Sequence, residues 1–201
     1  MAEMNDSFNE VTAEMLKVIS DYDSVTGFQG AYNIRQDSMC AGRKNSENIT
    51  IESKTDKPGI NIRVKPGTKG ETVYIPACVT HSNVDDLVYN DFFIGEGADV
   101  TIVAGCGVHS DGSETARHNG IHRFFLEKGA KVLYKEKHIG TGKGTGLRRI
   151  DPVTDAYLKE DSYLEMDTVQ LRGVDRTTRS TSAVLDKGAK IVVRERIMTD
   201  G

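Results

Sequence analysis

The sequence predicts an all-β fold, a parallel β-helix (β-solenoid), preceded by a short N-terminal helix. Three observations carry this. The opening of a strand recurs at Gly97-Ala98, Gly129-Ala130, Asp161-Ser162 and Gly188-Ala189, at intervals of 32, 32 and 27 residues. Repeats of that length mean a solenoid, a propeller or an array. Beyond about residue 28 the apolar residues alternate with a period of two, and no helical run interrupts them. Twenty glycines and four prolines, with no tryptophan, supply turns rather than helices. A propeller blade needs four strands in about 40 to 45 residues and ranks second. An immunoglobulin-like sandwich ranks third, because it does not repeat an opening in register.

Composition bounds the rest. A chain of 201 residues suggests one domain with a short appendage, divided here into an N-terminal helical segment, 1–26, and a β-helix core, 27–201. Hydrophobic residues at 37% and charged residues at 28% are those of a globular protein. No apolar run approaches the ~18 residues of a membrane span, so membrane insertion is not expected. The opening MAEMNDSFNE has acids where a secretory signal has a basic and then an apolar region. Three cysteines argue against a disulfide framework and for a reducing, cytoplasmic compartment. A net charge of −4 offers nucleic acid no electrostatic footing.

In chain order, Ser7-Phe-Asn-Glu10 reads as a capping box. Val11, Met15, Val18, Ile19 and Tyr22 then form one apolar stripe, which predicts a helix covering the open end or a flank of the strands. The stretch 36–53 is polar, and Cys40 within it reads as a small buried or indifferent thiol. Ile49-Thr-Ile-Glu and Ile60-Asn-Ile-Arg-Val are strands. Lys69 to His81 and Glu96 to His109 both end in Cys-x-x-His, and the pairs Cys78/His81 and Cys106/His109 are 28 residues apart. A third copy, Glu127 to His138, ends in histidine alone, and aligning Gly129 with Gly97 sets His138 level with Cys106. Gly140 to Gly146 lacks the Walker spacing and reads as a mobile hairpin loop. Arg172, Arg176 and Arg179 read as a solvated basic strip.

Stacking turns this pattern into chemistry. Equivalent residues of neighbouring coils lie about 4.8 Å apart. Cys78 is therefore expected over Cys106, and Cys106 over His138. The segment between them adds His109, His118 and His122. Seven of the eight Cys and His residues fall between residues 78 and 138. Thiolate and imidazole suit iron, zinc or copper rather than magnesium or calcium. The metal-ligating candidates are Cys106, His109 and His138 as the stronger group, then His118, His122, Cys78 and His81. Singly, each is more often a core or solvated residue. The acids are too scattered to nominate a general acid–base pair, and no catalytic residue is assigned.

Three segments carry a resemblance to a known family. They are VYIPACVTHSNVDDLVYNDFFIGEGADVTIVAGCGVHSDG (Val73 to Gly112), RHNGIHRFFLEKGAKVLYKEKHIG (Arg117 to Gly140) and YLEMDTVQLRGVDRTTRSTSAVLDKGAKIVVRERIMTDG (Tyr163 to Gly201). Together they resemble the SufB/SufD family of the SUF iron–sulfur cluster assembly system, in particular its short archaeal and clostridial-type members. The resemblance covers the chain beyond the first ~25 residues. It implies a right-handed helix of strands, a cytoplasmic location and a non-enzymatic scaffold role. The implied cargo is iron or an iron–sulfur cluster, with zinc possible in vitro. It also implies two partners, the ABC-type ATPase SufC and a SufB/SufD-type subunit, the latter as a homodimer.

Family members continue into more β-helix and a helical C-terminal region that carries the ATPase contact. The chain therefore reads as C-terminally truncated at Gly201, its last coil covered by a second copy, with the ATPase contact in doubt for it. Two other readings of the residues stay open. One is a metal-dependent β-helix lyase or hydrolase acting on carbohydrate, disfavoured by 6% aromatics without tryptophan. The other is a purely structural oligomerisation module.

Overall fold

The computed structural model describes residues 7–23 and 26–198. The acidic leader 1–6 and the junction expected near residue 26 lie wholly or partly outside them. The first element is a helix, α1 (Glu10–Ile19). Its N-cap is Asn9, whose side chain accepts from the Thr12 amide at 2.9 Å. Ser7 does not cap: its amide donates to the Ala41 carbonyl at 2.7 Å. The buried stripe is Thr12, Met15, Leu16 and Ile19, while Val18 is exposed. The expected face is thus rotated towards Leu16.

Two antiparallel hairpins come next. β1 (Ala31–Gln36) pairs with β2 (Met39–Lys44), and β3 (Ile49–Ser53) with β4 (Gly59–Val64). Asp37 and Ser38 make the first turn at positive φ. The solenoid proper follows, in about four turns. Each turn gives one strand to the first of two sheets and one or two to the second. β5 (Lys69–Val79), β7 (Asp99–His109), β9 (Lys131–Thr141), β12 (Tyr163–Arg172) and β15 (Lys190–Ile197) build one sheet in parallel order, continued by β1 and β2. β6 (Asp85–Ile94), β8 (Ala116–Leu126), β10 (Arg148–Ile150), β11 (Val153–Leu158), β13 (Arg176–Thr177) and β14 (Ser180–Leu185) build the other, continued by β4 and β3.

The repeated openings are the corners between the two sheets. Gly97, Gly129, Asp161 and Gly188 all have positive φ, which glycine and aspartate tolerate best. The residue after each of the first three, Ala98, Ala130 and Ser162, points inward and is buried. Corner stacks on corner: the Gly97 amide donates to the Lys128 carbonyl at 2.9 Å and the Gly129 amide to the Glu160 carbonyl at 3.0 Å. Pairing follows the sequence intervals, with Cys106 opposite His138, His138 opposite Gln170 and Tyr163 opposite Lys190.

The interior has two halves. Towards the Gly-Ala corners it is apolar, with Ile94, Leu126 and Leu158 facing Val100, Val132 and Leu164, all buried. Phe92 and Phe124 stack within it at 4.5 Å, and full burial of such a ring stabilises by roughly 1.5–3 kcal/mol. Towards the opposite edge the inward positions turn polar: Asp86, His118, His122, Glu136, His138 and Gln170 are all buried.

α1 lies on the outer flank of the β5/β7/β9 sheet rather than over an end. Gly105 and Gly107 make room for it, since a Cβ there would lie 2.5 Å from the Ile19 carbonyl oxygen and 2.2 Å from Met15 Sδ. Gly140 to Gly146 is a packed corner, not a mobile hairpin. The Gly144 and Gly146 amides donate to the Ser110 and Gly112 carbonyls at 2.8 and 2.9 Å, stacking this corner on the one below.

Candidate metal centre

The polar half of the interior is built by parity. Along β7 and β9, alternate residues point inward. The inward column across β5, β7, β9 and β12 reads Ala77, Cys106, His138, Gln170, and the column beside it reads Ile75, Ala104, Glu136, Thr168. A Cys106 thiol, a Glu136 carboxylate oxygen and a His138 ring nitrogen thereby come within 4.8 Å of one another, all buried. Glu136 Oε1 accepts from the Tyr134 hydroxyl at 2.9 Å. Glu136 Oε2 lies 3.3 Å from His138 Nε2. That nitrogen makes no hydrogen bond, and its contact with the carboxylate is electrostatic.

Burial and charge set the protonation of the group. Burial pushes the Cys106 thiol well above its ordinary value, and Glu136 adds to the rise. Burial would also raise the Glu136 carboxyl. His138 first, then the Arg179 guanidinium, overcome this and hold it well below the usual carboxylate range. The resting site is thus a neutral thiol beside an ionised carboxylate. A metal that binds the sulfur must displace its proton, because the thiolate is the ligand form. Soft sulfur, imidazole nitrogen and one carboxylate oxygen make a donor set suited to iron or zinc. His138 Nε2, which makes no hydrogen bond, is a ligand atom facing into it.

A cavity of about 230 Å³ opens beside this group, with Cys106, His118, His122, Glu136, Arg35 and Lys54 among the residues that line it. His118 and His122 are therefore close to the trio without belonging to it. His118 Nδ1 lies 3.0 Å from Asp86 Oδ2. Asp86 also accepts from Arg35 Nη2 at 2.6 Å and Ser38 Oγ at 3.0 Å. Burial opposes ionisation of Asp86, but the hydrogen bonds from His118 and Arg35 win and lower its pKa. His122 is held neutral: burial lowers its pKa from 6.5 to about 4, against the pull of Glu136. Its Nδ1 has no partner. Gly120 leaves space between the two imidazoles, since a Cβ there would lie 2.6 Å from His122 Nε2.

The remaining candidates lie elsewhere. His109 is three residues from Cys106, and in a strand that offset puts it on the opposite face. It is half-buried near α1, with Nδ1 2.9 Å from Thr141 Oγ1. Cys78 does not stack on Cys106. Gly70 is an extra residue in β5, so the register is Lys69 to Asp99 before it and Glu71 to Val100 after it. Cys106 consequently sits opposite Ala77, and Cys78 opposite Gly107. A one-residue offset sends a side chain to the other face. Cys78 packs with Met15, Leu16 and Ile19, where burial pushes its thiol up to about 12. His81 is mostly exposed, 3.7 Å from Asp37. Cys40 is exposed rather than buried and lines the cavity.

Sequence reasoning missed Glu136, Asp86 and Arg179. The first had a signal, since Val132, Tyr134, Glu136 and His138 share one parity. Arg179 had none: it leaves the solvated strip expected for it and reaches inward to Glu136 at 3.2 Å.

Comparison with known proteins adds a family. An iron–sulfur cluster assembly SufBD family protein of Archaeoglobus fulgidus is 33% identical over 198 aligned residues, covering 79% of this chain and 53% of that protein. Two SufBD family proteins of Methanothermobacter thermautotrophicus are 32% and 30% identical over 89 residues, covering 43% of this chain and 21% of each relative. The chain thus spans about half the length of the first relative and about a fifth of the others. No family model matches the chain. Among the described residues no helix is long and apolar enough to cross a membrane.

Proposed function

We propose, since this chain belongs to the iron–sulfur cluster assembly SufBD family, that its solenoid is a scaffold on which iron, and sulfide with it, is held during cluster assembly. The observation that carries the reading is the buried group of Cys106, Glu136 and His138, whose ligand atoms lie within 4.8 Å of one another. Cys106 would hold iron through sulfur once its proton has left, His138 through Nε2, and Glu136 through the oxygen beside that nitrogen. His118 and His122 form the neighbouring cavity wall, where iron or sulfide can wait without leaving the interior. Cys78, His81 and His109 have no part in this reading, because they face α1 or solvent.

On this account iron is cargo, the chain is not an enzyme, and it works in the cytoplasm. Its partners are the ATPase SufC, for the intact protein, and a SufB/SufD-type subunit that includes a second copy of this chain. Zinc would occupy the same three ligands in vitro. The test is anaerobic reconstitution with ferrous iron and sulfide, comparing wild type with Cys106→Ala and His138→Ala. Wild type should develop sulfur-to-iron charge-transfer absorption, and each variant should lose most of it. An equal chromophore in all three proteins removes the proposed site.

A further inference from the structure

A cation already sits on the trio, and it comes from the next coil. Arg179, between β13 and β14, places both Nη1 and Nη2 3.2 Å from Glu136 Oε2. This is the same oxygen that lies 3.3 Å from His138 Nε2. The guanidinium and an incoming metal ion would thus use one acceptor. Arg179 has a second anchor on the outer side, where its Nε lies 2.9 Å from Glu195 Oε1 of β15 in an ion pair. The arginine side chain is 16% exposed, Glu136 1% and Glu195 37%, so one guanidinium bridges a buried carboxylate and a part-exposed one. A pocket of about 30 Å³ lies along this path, lined by His138, Gln170, Thr177, Arg179 and Glu195.

We propose that Arg179 gates the trio: it bridges Glu136 and Glu195 while no metal is bound, and gives up Glu136 for Glu195 alone when a divalent cation takes the buried carboxylate. The inference rests on the trio being the metal-holding site and adds to it a residue that opposes loading. A guanidinium and a divalent ion a few ångströms apart in a poorly solvated interior repel strongly. The arginine cannot relieve this by losing its proton. It can only move, pivoting off Glu136 while keeping the Glu195 contact it already makes. Arg179 is a positioning residue here, since it touches the ligand and not the metal.

The test is an anaerobic cobalt(II) titration of the full chain at neutral pH. It reads the thiolate-to-cobalt charge-transfer band that reports Cys106, with affinity taken by competition against a chelator. Arg179→Gln should bind at least about tenfold tighter than wild type, and Arg179→Lys, which keeps the charge, should stay close to wild type. Glu195→Gln removes the outer anchor, strands the displaced guanidinium and should weaken binding. This variant leaves the Glu136 contact intact and so tests the gate even where Arg179→Gln does not fold. Equal or weaker affinity in Arg179→Gln, with the band present in both proteins, overturns the gate and leaves the metal site standing. Unchanged affinity in Glu195→Gln also overturns it. No thiolate band in any protein overturns the gate and the metal site together.

Discussion

Acid should begin to destabilise this protein as pH falls below 6.5, above the range in which carboxylates protonate, and His122 should be the cause of that first loss. The ring is 4% exposed, stacks on Phe92 at 5.7 Å and faces Tyr134 at 5.9 Å. Burial lowers its pKa from 6.5 to about 4. Between those values the unfolded chain binds a proton that the folded chain refuses, so stability rises with pH through this window and is lost as pH falls through it. At about 1.36 kcal/mol per pH unit, moving from pH 7 to pH 4.5 should cost about 2.5 kcal/mol from this residue alone. That is a large part of a typical domain stability of roughly 5–15 kcal/mol. Urea unfolding at both pH values measures it, with His122→Asn as the comparison. The substitution lowers stability at pH 7 through lost packing, so the informative quantity is the pH dependence. The variant should lose about 2.5 kcal/mol less than wild type on acidification. Equal losses in the two proteins would refute the reasoning.

Three further outcomes follow from the geometry. Asp86→Ala leaves Arg35 and His118 without their buried acceptor and should cost about 3–5 kcal/mol at neutral pH in urea unfolding. Because the folded pKa of Asp86 is depressed, that contribution is present above the unfolded value and fades only as pH falls below about 3.8. Gly105→Ala drives a Cβ against the Ile19 carbonyl and should cost about 1–3 kcal/mol. Hydrogen exchange should then accelerate in residues 10–19 while β7 and β9 stay protected. Tyr134→Phe removes the hydroxyl that donates to the ionised Glu136 Oε1 and should cost about 1.5–3 kcal/mol in the same unfolding assay, with the solenoid otherwise unchanged.

The fold was legible because a solenoid writes its geometry into the chain at fixed intervals. A corner needs a residue that tolerates positive φ followed by a small inward one, and Gly97-Ala98 and Gly129-Ala130 are such corners, one coil apart. Those intervals hold from β7 to β15, so Cys106 and His138 pair as the sequence implies. They fail at β5, and there the likeness of the two Cys-x-x-His segments misleads: it matches residues 28 apart, while the strands pair at 30 before Gly70 and at 29 after it. The separation of His109 from Cys106 needed only the parity rule for a strand. Glu136 was accessible by the same rule, two residues from His138. Arg179 was not, since a long side chain turning inward from a corner leaves no periodic trace. The helix cap depended on local competition, with Asn9 two residues nearer the helix than Ser7.

X-ray absorption at the iron edge, on the anaerobic chain loaded with one equivalent of ferrous iron, tests the metal centre most directly. The account predicts a first shell of one sulfur with nitrogen and oxygen neighbours, and loss of the sulfur in Cys106→Ala. A shell of nitrogen and oxygen alone, or a sulfur that persists in that variant, would contradict it.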